Sequence, residues 1–321
     1  MWLANIFVVC RRREWLDKGY SLWYITSTLK WFSGVLKRRD EMKKLSFGLA
    51  VLAMLLLPGV GSSAGDERIF AFCGAASKPA MEEAAEMFHK QTGVKVDLNF
   101  GGSGTMLSQM KLARRGDLYI PGSPDYMVKA EREGLVDPKT TRILAYLVPA
   151  IGVQPGNPKG IKSLEDLAKP GLKVGIGNPE SVCVGLYAVE LLQRSKLLRE
   201  VSKNIVTHAS SCASTEALVA MKKVDAVIGW EVFSNWNPGK IETVFLKPSD
   251  IPRLAYIPAA VSIYTANKAV SQKFIDFLVS GEGKKIFSKW GYAVAEQEVR
   301  RHAPNALIGG EYVLPKDWMS Q

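Results

Sequence analysis

Two stretches of small and hydroxyl-bearing residues carry the clearest chemistry in this chain. The first, Phe72-Cys73-Gly74-Ala75-Ala76-Ser77-Lys78-Pro79-Ala80-Met81, reads as a strand end, a small-residue turn and the first turn of a helix. The second, Phe100-Gly101-Gly102-Ser103-Gly104-Thr105, follows roughly one strand–helix unit later. Small side chains let the backbone approach a ligand, and the first amides of a helix point outward without a partner. Both stretches therefore suit an anion. Ser77 and Ser103 could cap their helices or reach a ligand, since both roles use one geometry.

Other chemistries find less support. The Gly-rich run lacks the Lys-Ser/Thr ending of a nucleotide-binding loop. His89, His208 and His302 share no motif, and neither H-E-x-x-H nor C-x-x-C occurs. A G-x-S-x-G nucleophile elbow is also missing, so no nucleophile–base pair announces an enzyme.

The elements needed to position these residues follow from the apolar pattern. Residues 68–73 form a short apolar run, as in a buried parallel strand. Met81, Ala84, Ala85 and Phe88 recur at helical spacing, with Pro79 in the first turn. Residues 94–100 alternate as a strand, Met106, Leu107, Met110 and Leu112 suggest a helix, and residues 118–120 a third strand. Strands then fall at 148–153, 173–177, 224–229 and 256–264. Helices fall at 186–194 and 215–222, and a capping pattern begins at Ser163. The remainder is helical, with Phe274, Phe277 and Leu278 on one face and Ile286 and Phe287 on another. Strands alternating with helices at this spacing imply parallel βα units. The expected fold is α/β with two lobes, each a mostly parallel sheet flanked by helices, joined by a two-strand hinge. Lobe 1 is expected at 65–148 plus 258–321 and lobe 2 at 149–257. Helix-N-terminal loops from both would then face one cleft.

Cys73, Cys183 and Cys212 all fall in or beside those loops. In an exported protein a disulfide is expected, with Cys183 and Cys212 as the couple because both lie in lobe 2. The alternative is a thiol-based metal or metalloid site using two or three of the sulfurs. Trp230, after a strand, suits either the core or a cleft wall.

The formal charge of +11 over 321 residues is unevenly spread. Residues 1–64 hold ten Lys/Arg against four Asp/Glu, leaving +5 for the rest, where basic residues are scattered. That pattern argues against a nucleic-acid face. Met42-Lys43-Lys44, the apolar run 45–57 and the small residues up to Ala64 make a secretory signal peptide. Its apolar core is short for a membrane span. Residues 1–41 precede it and are expected to be an extension or a start-site artefact, with translation from Met42.

From residue 67 to 315 the chain resembles the periplasmic molybdate-binding proteins of ABC transporters, within the type II solute-binding fold. The carriers are the first two stretches, Gly116-Asp117-Leu118-Tyr119-Ile120, Gly177-Asn178-Pro179 and Val224-Asp225-Ala226-Val227-Ile228-Gly229-Trp230. Their order and spacing make the likeness. It implies a non-enzymatic periplasmic receptor, monomeric and without cofactor. Such a receptor holds molybdate or tungstate by hydroxyls and amides and delivers it to a membrane permease. Sulfate or another small solute is the alternative on the same scaffold. The positions the resemblance points to are Ala76, Ser77, Ser103, Cys183, Val184, Cys212 and Ala213. This chain departs from the pattern twice. Ser77 stands one place later than the usual first-loop serine, and Trp230-Glu231 stands where many members have a tyrosine. A charged Glu231 facing a dianion would be repelled unless it turned away, took up a proton or ligated the metal centre.

Overall fold

The computed structural model describes residues 67–318; the signal peptide read at 42–64 and the segment 1–41 lie outside the described residues. Residues 65–321 form one compact unit.

Strand β1 (Arg68–Gly74) runs into a single 3-10 turn (Ala75–Ser77) and helix α1 (Lys78–Thr92). Ala80, Met81, Ala84, Ala85 and Phe88 are its buried residues, as the helical spacing requires. Next come β2 (Lys95–Gly101) and α2 (Ser103–Ala113), whose buried residues are Ser103, Met106, Leu107 and Met110. Leu112, counted above with the apolar face, is 84% exposed: two residues past Met110 is about 200° round the helix. Then follow β3 (Leu118–Ile120), α3 (Pro124–Arg132) and β4 (Arg142–Leu147).

The second sheet begins with β5 (Pro149–Val153) and β6 (Val174–Gly177), followed by α4 (Cys183–Arg194) and short α5 (Leu198–Ser202). It continues through β7 (Ile205–Ala209), α6 (Cys212–Ala220), β8 (Ala226–Trp230), α7 (Phe233–Trp236) and β9 (Glu242–Phe245). The chain returns as β10 (Arg253–Val261). It ends through α8 (Lys268–Val279), α9 (Gly281–Lys289), α10 (Glu296–Arg300) and β11 (Leu307–Ile308).

The two sheets share one plan. The first has the order β11-β10-β3-β1-β2, with β4 also paired to β10; the second has β7-β6-β8-β5-β9. β1 is parallel to β2 and β3, and β6 is parallel to β7 and β8. The crossing strands enter antiparallel, β10 against β3 and β4, and β5 against β8 and β9. This is the two-lobed α/β architecture expected from the sequence. The boundary at 257/258, however, falls inside β10, and all of that strand's partners belong to the first sheet. The return crossing therefore precedes Arg253. Among the described residues no helix is long and apolar enough to cross a membrane.

The capping pattern at Ser163 yields only a 3-10 turn, Glu165–Ala168, with Leu164 as its N-cap. Asp166 spends its carboxylate on the Lys162 amide at 2.7 Å.

Candidate functional site

Three parallel strands of the first sheet and two of the second deliver small-residue loops to one place. β1 ends in Gly74-Ala75-Ala76, β2 in Gly101-Gly102-Ser103, and β3 in Pro121-Gly122-Ser123. β6 leads through Val182 to Cys183, and β7 through Ser211 to Cys212. Gly122 reports the convergence. A Cβ built on it would lie 2.5 Å from Ala76 Cβ, 2.7 Å from Cys183 Sγ and 3.6 Å from Ser103 Oγ. The halves touch directly here: the Gly104 amide donates to the Ser181 carbonyl at 2.8 Å.

Cys183 and Cys212 are each the first residue of a helix. The helices expected at 186 and 215 begin three residues earlier, because extended Val182 and Ser211 serve as N-caps. Ser211 Oγ accepts the Ser214 amide at 3.0 Å. Early starts place Cys183, Val184, Cys212 and Ala213 in the first turns of their helices, where amides lack intrahelical acceptors. The cysteine sulfurs lie 3.4 Å apart and are unbonded. The expected couple is thus adjacent, but as two thiols. Burial is the main reason the Cys183 thiol is held well above its usual range, and Cys212 beside it adds to this. Cys73, at the end of β1, is also a buried thiol pushed up by desolvation.

Ser103 is 1% exposed, and its hydroxyl joins three loops. It accepts the Gly122 amide at 3.0 Å and hydrogen-bonds Cys183. The Ser103 carbonyl accepts the Tyr119 hydroxyl at 2.9 Å, and the Ala76 carbonyl accepts the Tyr292 hydroxyl at 2.7 Å. Ser77 behaves differently. Its hydroxyl turns back onto the Gly74 carbonyl at 3.3 Å, so Ala76 is the first-loop residue that meets the other loops.

Trp230 is buried at 2% exposure, with its ring edge-on to Tyr187 at 5.0 Å and its Nε1 lacking a hydrogen-bond acceptor. Tyr187 lies one helical turn after Cys183, and Trp230 belongs to the same buried core cluster as both cysteines. Glu231 turns to the hinge: Oε2 accepts the Val148 amide at 2.6 Å, while the Glu231 amide donates to the Val148 carbonyl at 3.0 Å. Val148 is the single residue between β4 and β5. Burial pushes the Glu231 carboxyl up to about 8, against the lowering effect of neighbouring amides. Glu231 thus faces Val148, with its carboxyl raised by burial.

Sequence reasoning missed five residues. Gly122 had a usable signal, a small-residue turn after a strand like the others. Tyr292 and the buried group Asp125, Glu190 and Arg253 had none, because distant segments bring them in. Arg253 reaches Asp125 Oδ1 at 2.8 Å and Glu190 Oε2 at 2.5 Å, and lies over the Tyr187 ring at 4.0 Å. Burial raises the Glu190 carboxyl, and the adjacent Arg253 guanidinium works in the opposite direction.

None of the side chains meeting around Gly122 is a Lys or Arg, and among the described residues no group of three His, Cys, Asp or Glu is placed to hold a metal ion. Helix starts and small-residue loops from both halves meet at one buried point. The chain belongs to the bacterial extracellular solute-binding protein family, whose model it matches over residues 69–293. It is a non-enzymatic transport receptor of the ABC type.

Its likeness to the molybdate-binding protein ModA of Escherichia coli is 26% identity over 249 residues, 75% of this chain and 95% of that one. The sulfate-binding protein of Synechococcus elongatus is 24% identical over 255 residues, 71% of this chain and 72% of that one. Among solved structures, the periplasmic molybdate-binding protein of Azotobacter vinelandii superimposes with a TM-score of 0.62 at 19% identity. That match covers 72% of this chain and all of that one, and shows a common fold.

Proposed function

We propose that this receptor binds a tetrahedral dianion, molybdate or tungstate, in the periplasm and hands it to an ABC permease. The observation that carries the reading is the meeting of Ala76, Ser103, Gly122 and Cys183 around one point, with helix N-termini behind them. Each such terminus presents about half a positive charge and amides without intrahelical acceptors. Several of them balance a dianion without a buried cation, and closure of the lobes removes competing water. Ser103 offers a hydroxyl, and Cys183, Val184, Cys212 and Ala213 offer amides. The neutral, hinge-facing Glu231 removes the repulsion that its position suggested. The names of the relatives support an oxyanion and keep sulfate as the competitor.

Calorimetry of the protein with molybdate, tungstate and sulfate tests this directly. The expected result is tight one-to-one binding of molybdate or tungstate, with sulfate at least tenfold weaker. No heat and no thermal stabilisation with any of the three would overturn it.

A further inference from the structure

The thiols of Cys183 and Cys212 have no task in holding an oxyanion by amides, yet they sit where the loops of both halves meet. The sulfurs are buried and 3.4 Å apart. A disulfide needs about 2.05 Å. At this separation the two thiols touch, and one atom could bond both sulfurs without a large shift of either. With bonds of about 2.3 Å, as for zinc–sulfur, 3.4 Å corresponds to an angle of about 95° at that atom. Tetrahedral zinc opens the angle further, and a linear soft ion straightens it. An angle close to a right angle suits a pyramidal atom with a lone pair, and the square-planar or octahedral ions that share it would need further ligands.

We propose that Cys183 and Cys212 form a capture site for a trivalent, thiophilic oxyacid of the arsenite and antimonite class. Such an acid is X(OH)₃, neutral at pH 7. Two X–S bonds form and two X–OH bonds break. Each departing hydroxyl leaves with a thiol proton as water, so no electrons change hands. The remaining X–OH lies beside the Ser103 hydroxyl, which already bridges Gly122 and Cys183. Acid, thiols and product are all neutral, so no charge is buried in a site sealed at 0–1% exposure. The ligand count also fits, because the chain supplies two sulfurs where a closed metal site would need three or four protein ligands. This second ligand chemistry shares the cleft with the oxyanion but stands independently of it.

The test uses the full chain, reduced and kept free of oxygen, with sodium arsenite as probe. One arsenic per chain is expected, with X-ray absorption showing two sulfurs and one oxygen around it. Cys183→Ser and Cys212→Ser should each lower uptake at least 100-fold, and Cys73→Ala should leave it unchanged. A shell without two sulfurs, uptake that survives both serine variants, or zinc held as tightly as arsenite would overturn the proposal. So would a Cys183–Cys212 disulfide in the protein isolated from its native compartment. The absorption spectrum needs no variant and decides the matter even if a serine substitution disturbs folding. Molybdate heat on the same sample reports on the oxyanion reading alone.

Discussion

The amide of Gly104 donates to the carbonyl of Ser181 at 2.8 Å, and this bond joins the first turn of α2 to the loop after β6. The two residues lie in different halves of the fold, so any opening between the halves would break the bond. Gly104 has no room for a side chain there. A Cβ would lie 2.7 Å from the Tyr126 ring and 3.1 Å from Ser181 Cα. The ring can give way, but the backbone of the other lobe cannot without reopening the cleft. Gly104→Ala should therefore weaken oxyanion binding by tenfold or more, in line with an overpacking cost of about 1–3 kcal/mol. Small-angle scattering with saturating ligand should show a more open molecule than the parent. An unchanged radius and affinity would mean that closure does not depend on this contact.

Ser103→Ala separates two roles of one hydroxyl. The Gly122 amide would lose its acceptor in a buried place, which costs about 1–3 kcal/mol. The ligand would lose a hydroxyl as well. The expected result is at least tenfold weaker binding by calorimetry together with a measurable fall in urea midpoint. Sequence alone suggests a binding loss with little effect on the fold; the Gly122 bond adds the second consequence. A lower midpoint with unaltered affinity would assign Ser103 to structure only.

Seven of the eleven strands among the described residues were legible because they rest on local signals, whereas β4, β7, β9, β11 and the order of strands within each sheet were not read. The apolar run before Gly74, the alternation before Gly101 and the spacing of Met81 to Phe88 each specify an element by themselves. The loop positions of Ala76, Ser103, Cys183 and Cys212 followed from strand-to-helix turns. Helix starts at 183 and 212 were missed because Val182 and Ser211 act through backbone conformation and a cap that apolar periodicity does not register. The turn of Ser77 onto Gly74 and of Glu231 onto Val148 could not be read at all. Each depends on which way a side chain faces, and for Glu231 the partner is 83 residues away.

Arg253 is 3% exposed and lies between Asp125 of α3 and Glu190 of α4, one carboxylate from each half. Its guanidinium also reaches the Gly310 carbonyl at 3.1 Å. Arg253→Met keeps much of the volume but leaves two carboxyl groups facing each other without a cation. Removing one partner of a buried ionic group costs about 3–5 kcal/mol. The variant should show a loss of that size in urea denaturation, with ligand affinity reduced as well because the group links both lobes. If Arg253→Met is as stable as the parent, the cluster contributes nothing net to the fold.

Glu231 supplies a pH dependence whose sign follows from its environment. Its folded carboxyl is raised to about 8, chiefly by burial, from the ordinary glutamate value of about 4.5. Below pH ~4.5 both folded and unfolded chains carry the proton, and this group does not oppose folding. As pH rises from there towards 8, the unfolded chain releases the proton while the folded chain retains it, so stability falls through that window. Above about 8 both forms are ionised and the slope vanishes. Glu231→Gln removes the titration and preserves a carbonyl acceptor for the Val148 amide. Melting temperatures of parent and variant should therefore run together near pH 4.5. They should diverge progressively up to pH 8, where the glutamine form is the more stable by a few kcal/mol at most. Parallel curves across that range would show that the carboxyl titrates as it would in water and that the hinge does not desolvate it.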